Sequence, residues 1–172
     1  MELNPALSNI MIPERHLVLV KPEIHWNTGN IGRTCLAVGA CLHLVRPLGF
    51  SLDEKQVKRA GLDYWPKVNL KVWESFEELE RGMAVKTTEV RIFSKLGSRS
   101  FWDMEKDGRI FLVFGSETAG LDSGITNRYG EQVFSIPISG EIRSLNLSTA
   151  AGIALYESLR PFCPKNHWSG VS

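Results

Sequence analysis

Short apolar runs, each followed by a longer polar or amphipathic stretch, recur along the chain. Runs dominated by Val, Ile, Leu and Phe are typical of buried strands. They predict strands over residues 16–20, 42–45, 68–72, 90–93, 110–114 and 133–138. The clearest is IFLVF at 110–114, because glycines stand close to both of its ends.

The segments between these runs predict helices. Residues 27–40 carry one apolar face at the helical period, and Asn27 or Thr28 is expected to cap the start of that helix. Further helices are predicted over residues 53–60, 75–81 and 146–160. Strands that alternate with helices indicate an α/β domain with a largely parallel sheet.

The composition is that of one ordinary globular domain. The chain has 172 residues, of which 43% are hydrophobic and 23% charged, which argues against a disordered tail, a collagen or a coiled-coil rod. The uncharged stretch at 34–45 is too short for a membrane helix, which needs about 20 apolar residues. We therefore expect no membrane partner.

Net charge points to no particular partner. Twenty Lys and Arg oppose nineteen Asp and Glu, so bound RNA would need a local basic patch. Such a run is as easily the solvated face of a helix. The candidate cations lie on the predicted helix 53–60 and near later loops: Lys55, Lys58, Arg59, Lys95, Arg99 and Arg143.

The cysteines and histidines predict neither disulfides nor a metal centre. Cys35 and Cys41 stand in apolar surroundings and are expected in the core, and no CxxC pair occurs. A reducing, cytoplasmic setting fits this pattern. The four histidines, including His16 and His43, are not spaced as paired ligands, and the cysteines are not expected to join them.

Familiar catalytic fingerprints are missing. No GxGxxG follows a strand, and no GxSxG elbow occurs. Residues 115–120 have the glycine spacing of a Walker A loop, but Leu121 and Asp122 replace the Lys-Ser/Thr that must follow. Phosphoryl transfer from ATP is therefore not expected.

Three segments remain unusual: NTGNIGR at 27–33, LVFGSETAGL at 112–121 and IPISGEIRSLNLS at 136–148. Alone, each has a structural explanation, as a helix cap, a tight turn, or a loop with an N-cap. Their occurrence in one chain, in this order, is harder to explain structurally.

NTGNIGRTC, FGSETAGL and SLNLSTAAGIALYE resemble the three motifs of the SPOUT methyltransferases, specifically the TrmH-like RNA 2′-O-ribose group. HLVLVKPEIHWNTGNIGR, LHLVRPLGF and AGLDYW are similar to the small stand-alone TrmL branch, which methylates the wobble nucleotide of certain tRNAs. The resemblance covers residues 16–162, with 1–15 as an extension and 163–172 as a tail.

The resemblance implies a single-domain SPOUT fold with helices on both faces of the sheet, a C-terminal trefoil knot and a homodimer. It implies S-adenosylmethionine as cofactor, S-adenosylhomocysteine as product, a tRNA anticodon stem-loop as partner, and no metal. Gly152 and its small neighbours in the last helix are compatible with the close backbone approach of a knot.

The resemblance also implies site residues. The cofactor positions are Phe93, Gly115, Ile136, Ser144, Leu145 and Asn146. Ser144 is also expected near the reacting hydroxyl, and Tyr156 matches a functional tyrosine, although a core tyrosine would look the same.

Two residues of the first segment are expected to act on the RNA. Arg33 is expected to reach from its helix toward the cofactor loops, clamp a phosphate and favour the forming alkoxide. Asn27 is expected to hydrogen-bond the ribose. Glu117 is expected to order the loop at residues 115–121, called the second loop below, rather than to act as a base.

Two alternatives stay open at this point. One is methylation of ribose in ribosomal RNA or at another tRNA position. The other is an RNA-binding module of the same fold without catalysis, which the presence of Asn27, Arg33 and Ser144 disfavours.

Overall fold

The chain forms one parallel sheet with helices on both faces. The computed structural model describes residues 13–52 and 63–162, which contain seven strands and four α-helices. The strand order is β3-β2-β1-β6-β4-β7-β5, and each neighbouring pair is parallel. The predicted fold class is confirmed, while the knot stays a prediction.

The strands are β1 (Arg15–Val20), β2 (Cys41–Val45), β3 (Leu70–Trp73), β4 (Val90–Phe93), β5 (Arg99–Ser100), β6 (Ile110–Phe114) and β7 (Val133–Ser135). The helices are α1 (His25–Val38), α2 (Phe76–Gly82), α3 (Ser123–Tyr129) and α4 (Leu147–Leu159). None of the helices in residues 13–52 and 63–162 has the length and apolarity that crossing a bilayer requires.

The sheet has a hydrophobic core on each of its two faces, because successive side chains of a strand point to opposite sides. Leu17 and Leu19 of β1 belong to the core beneath α1 and α4, whereas Val18 and Val20 belong to the core beneath α2 and α3. Cys35 and Cys41 are buried, as predicted.

Several boundaries differ from the prediction. β7 ends before Pro137, which has no N–H to donate to a ladder. β5 and α3 were not predicted, and both are very short, with two and seven residues. The predicted helix 53–60, with Lys55, Lys58 and Arg59, lies outside the described residues, as do Cys163 and His167.

A buried arginine at the start of β1 joins three distant segments. The Arg15 guanidinium donates to the carbonyl oxygens of Gly108 (2.7 Å), Lys106 (2.6 Å) and Ser158 at the end of α4 (3.0 Å). Burial lowers the pKa of Arg15 to about 10, so the side chain remains a cation at neutral pH. Carbonyl dipoles thus hold this charge where α4 meets the edge of the sheet.

At the amino-terminal ends of β1 and β2, the structure brings together His16, Cys41 and His43. Their side-chain N and S atoms lie within 4.8 Å of one another, so the prediction that the cysteines do not join the histidines is wrong. The parallel register causes this, since His16 is aligned with Cys41 and the His43 side chain lies beside them.

Hydrogen bonds assign the protons of this cluster. The Trp73 indole N–H donates to His43 Nδ1 (2.9 Å), so the proton of the neutral His43 ring lies on Nε2. His43 Nε2 then donates to His16 Nδ1 (2.9 Å), and His16 Nε2 faces the Glu14 carboxylate at 3.3 Å. Neither nitrogen of His43 keeps a lone pair for a metal ion.

We expect this cluster to make stability depend on pH. Burial, with smaller contributions from the neighbouring His16 and Lys71, lowers the pKa of His43 to about 3. As the pH falls through about 6.5, His43 therefore becomes protonated in the unfolded chain but stays neutral in the folded chain. The free energy of unfolding should fall by up to about 1.4 kcal/mol per pH unit between about pH 6 and pH 4.

Urea denaturation at a series of pH values measures this slope. His43→Gln should flatten it, whereas His25→Gln, at an exposed histidine, should leave it unchanged. An identical slope in wild type and His43→Gln would contradict the assignment.

Candidate active site

A cleft opens where three central strands end. β4, β6 and β7 finish side by side, with Phe93 paired in register with Phe114 and Phe134. The loops that follow these strands, together with the start of α1 and the start of α4, enclose a cleft of about 660 Å³. Carboxyl ends of parallel strands are the usual place for a ligand site in an α/β fold.

The cleft gathers the cofactor residues expected from the sequence. It is lined by Phe93, Gly115, Ile136, Ser144, Leu145 and Asn146. Asn27 and Arg143 also line it, and Lys95 supplies a second cation. These residues come from positions 27 to 146, and the sheet edge brings them to one place.

Gly115 is required for the shape of the second loop. Ser116 N donates to Gly120 O (3.1 Å) and Gly120 N to Ser116 O (3.0 Å), which closes the loop on itself. A Cβ at Gly115 would collide with the backbone of Gly120 and Leu121. The glycine therefore permits loop closure at a position that also lines the cleft.

Glu117 attaches the second loop to the start of α1. Its carboxylate accepts from Glu23 N (2.8 Å), Ile24 N (3.3 Å) and Asn27 Nδ2 (2.8 Å). Both carboxylate oxygens are thus bonded to the chain segment that starts α1. The geometry agrees with the ordering role predicted for Glu117.

Asn27 continues this network to α4. Its Oδ1 accepts from Asn146 Nδ2 (3.0 Å), and Asn146 Oδ1 accepts from Ser148 N (2.8 Å) at the first turn of α4. The carboxylate at one end and the helix N–H groups at the other fix which way both amides point. The network Glu117–Asn27–Asn146, which we call the amide relay, couples the second loop, α1 and α4.

The structure corrects the capping role expected for Asn27, while its contact with a ribose stays a prediction. α1 begins at His25 after Ile24, and no side chain caps it, so Asn27 and Thr28 lie inside the first turn and are buried. The amide of Asn27, at the lining of the cleft, bonds to Glu117 and Asn146. Local sequence could not show this, because the Glu117 partner is 90 positions away.

Arg33 does not reach the cleft of its own chain. Six residues turn a helix by about 600°, so Arg33 leaves α1 on a different side from Asn27. Its guanidinium carbon lies 4.5 Å from the centre of the Tyr64 ring, and its side chain is exposed. The expectation that it projects toward the cofactor loops is wrong within one protomer.

The structure rules out the core alternative for Tyr156. Tyr156 is 53% exposed on α4 and does not line the cleft, and its functional role stays a prediction. A Cβ at Gly152 would meet nothing within 4 Å in the part of the chain that the structure describes. Among the described residues of one chain, the close approach suggested for Gly152 does not occur.

The basic residues that the structure describes differ in whether their side chains already bond to other parts of the protein. Arg99 is engaged, because it donates to Glu131 O (3.0 Å) and Glu105 Oε1 (3.0 Å) and lies over the Phe134 ring. Arg143 and Lys95 line the cleft and donate no hydrogen bond to a described residue. Arg99 would have to give up its hydrogen bonds to contact RNA, so Arg143 and Lys95 are the better placed of the described candidates. Tyr64, which the sequence did not single out for a role, is the neighbour of Arg33.

Comparison with known proteins gives one consistent result. The SpoU rRNA Methylase family matches residues 14–156. A relative from Methylovorus glucosotrophus, named tRNA (cytidine(34)-2'-O)-methyltransferase, is 43% identical over 145 residues, 84% of this chain and 93% of the relative. A Bacillus subtilis relative with the provisional form of that name is 46% identical over 148 residues, 84% of this chain and 91% of the relative.

Solved structures similar to this chain give the same result as the sequence relatives. One, described as addressing 2-OH methylation of C/U34 on tRNA, has a TM-score of 0.76 and 42% identity over 86% of this chain and 95% of that one. An AdoMet-bound rRNA methyltransferase from Sinorhizobium meliloti has a TM-score of 0.76 and 26% identity over 88% of this chain and 57% of that one. With the motifs gathered in one cleft and the match spanning most of its length, the chain belongs to the SpoU methylase family.

Proposed function

We propose that the protein transfers a methyl group from S-adenosylmethionine to the ribose 2′-hydroxyl of the wobble nucleotide, position 34, in cytoplasmic tRNA. The observation that carries this proposal is the 43% identity to a tRNA cytidine(34) methyltransferase over 93% of that relative. The substrate nucleotide is a cytidine or a modified uridine, in keeping with the C/U34 description of the related structure.

The cleft fits the cofactor. Its volume of about 660 Å³ is in the range of small-molecule sites, and residues of the three loops line it. Lys95 and Arg143 place positive charge where a ligand carboxylate can be bound. When bound, S-adenosylmethionine supplies an activated methyl group on sulfur, so the protein's task is placement.

The chain's own residues perform that placement. The amide relay holds the second loop against α1 and α4, so Ser144, Leu145 and Asn146 face the cleft at fixed separations. Correct placement of two reacting groups can supply several kcal/mol, about 7–11 in favourable cases. Arg33 offers a permanent cation to an RNA phosphate outside the cleft.

Methylation of total tRNA decides between the proposed function and its alternatives. With labelled S-adenosylmethionine, nucleoside mass spectrometry should find 2′-O-methylation at position 34. Methylation elsewhere in tRNA or only in ribosomal RNA would support the sister activity. Binding of RNA without transfer would support a non-catalytic module.

We propose further that the active form is a homodimer built on the outer face of α4. Ile153 and Tyr156 are 38% and 53% exposed on this face, and Gly152 leaves room beside them. Exposed apolar side chains grouped on one helix favour a protein contact. The close approach that Gly152 permits would then be to the partner's chain.

We expect sedimentation to give about twice the chain mass of 19.3 kDa at micromolar concentration. Ile153→Glu should shift the protein toward the monomer, because it places a charge in the apolar contact. Trp102→Glu, at another exposed apolar residue, should not. A wild-type monomer would contradict the dimer.

A further inference from the structure

The Arg33 guanidinium contacts an aromatic ring with its face, and no described residue accepts a hydrogen bond from its N–H edge. The guanidinium lies over the ring of Tyr64, at 4.5 Å from guanidinium carbon to ring centre, and it donates no hydrogen bond to any residue the structure describes. By contrast, the terminal N–H groups of Arg15 and Arg91 donate to several backbone carbonyls. The N–H edge of Arg33 therefore stays available to an incoming anion.

Tyr64 is itself fixed against α1. Its hydroxyl donates to the carbonyl oxygen of Gly29 (2.9 Å), one helical turn before Arg33. Ring and hydroxyl thus contact two positions, Gly29 and Arg33, that share a face of the helix. The ring cannot swing away from Arg33 without losing the bond to Gly29.

The next residue anchors the same segment. Trp65 packs on Gly32, where a Cβ would lie 2.5 Å from the indole ring. Trp65 also begins the short 3₁₀ turn Trp65–Lys67, which follows Tyr64 directly. Both aromatic residues therefore hold this segment on the middle of α1, and Gly32 is the position that lets it approach.

We propose that Tyr64 is a positioning residue for Arg33: its ring restricts the guanidinium to one orientation, with the N–H edge presented to an RNA phosphate. This inference rests on the proposed function. A free arginine side chain must lose rotamer freedom when it grips a phosphate, and a ring already beneath it removes part of that loss. Cation–π contact leaves the N–H donors unused, whereas a carboxylate partner would consume them.

The proposal is tested by exchanging the ring. Tyr64→Leu should lower the single-turnover methylation rate on tRNA about 5- to 20-fold at saturating tRNA. Tyr64→Phe and Tyr64→Trp keep an aromatic face and should stay within about threefold of wild type. S-adenosylmethionine binding, measured by calorimetry, should be unchanged in all three.

A double-mutant cycle separates positioning from a purely structural role. In an Arg33→Ala background, Tyr64→Leu should change the remaining rate less than twofold, because there is no guanidinium left to hold. Trp102→Leu, at another exposed aromatic, serves as the matched control and should change neither rate. If Tyr64→Leu is unfolded by circular dichroism, Tyr64→Met is measured in its place.

Two results would overturn the proposal. The first is the same fold-loss from Tyr64→Leu with and without Arg33, and the second is a loss in Tyr64→Phe as large as in Tyr64→Leu. Absence of transfer by the wild-type protein to any tRNA is a different result. It would contradict the proposed function and remove the basis of this inference with it.

Discussion

Arg33→Ala is expected to slow single-turnover methylation of tRNA about 100- to 1000-fold, or roughly 3–4 kcal/mol of transition-state stabilisation. Tyr64 holds the face of the Arg33 guanidinium, and no residue in the described part of the chain accepts from its N–H edge. A contact to phosphate that tightens during the reaction would be lost entirely. S-adenosylmethionine binding should be nearly unchanged, since Arg33 does not line the cleft.

Two further arginine variants serve as comparisons for Arg33→Ala. Arg33→Lys should also be poor, because an ammonium lacks the planar fork that binds a phosphate through two N–H groups. Arg81→Ala removes an exposed arginine of α2 and should leave the rate unchanged. A rate for Arg33→Ala within threefold of wild type would remove Arg33 from the mechanism.

Glu117→Ala is expected to damage both stability and activity. Glu23 N, Ile24 N and the Asn27 amide would lose their acceptor, and unpaired donors near the interior are costly. We expect a loss of about 2–4 kcal/mol in the free energy of unfolding and at least a 100-fold loss of methylation rate. Denaturant titration and single-turnover assays measure the two effects.

Cofactor binding separates this variant from Arg33→Ala. The Glu117 carboxylate fixes the second loop, so Glu117→Ala should weaken S-adenosylmethionine binding, which Arg33→Ala should not. Glu131→Ala removes an exposed carboxylate and serves as the control. Normal cofactor affinity in a folded Glu117→Ala protein would show that the amide relay does not shape the cleft.

The sheet was predictable because its signal is local. Buried parallel strands are continuous apolar runs, and IFLVF at 110–114 became β6 with the predicted bounds. β5 could not be predicted, because a two-residue strand has no period and exists only through its pairing with β7. The order of the strands likewise depends on contacts between distant segments.

Site residues were predictable from the sequence where they lie at the end of a strand. Phe93 and Gly115 lie at strand ends, and a parallel sheet brings such ends to one edge. The prediction failed for the capping role of Asn27, because the partner of its side chain, Glu117, lies 90 positions away in sequence. For Arg33, it failed because six residues of helix turn Arg33 to a different side of α1 from Asn27.

The buried guanidinium of Arg15 has a consequence for how the molecule opens. Its N–H groups donate to Gly108 and Lys106 before β6 and to Ser158 near the end of α4. If one of these segments detached alone, the buried Arg15 cation would lose carbonyl acceptors, which is costly. α4 therefore does not fray as a separate unit. In native-state hydrogen exchange, the last turns of α4 should exchange with the same opening free energy as β1, as parts of one cooperative unit.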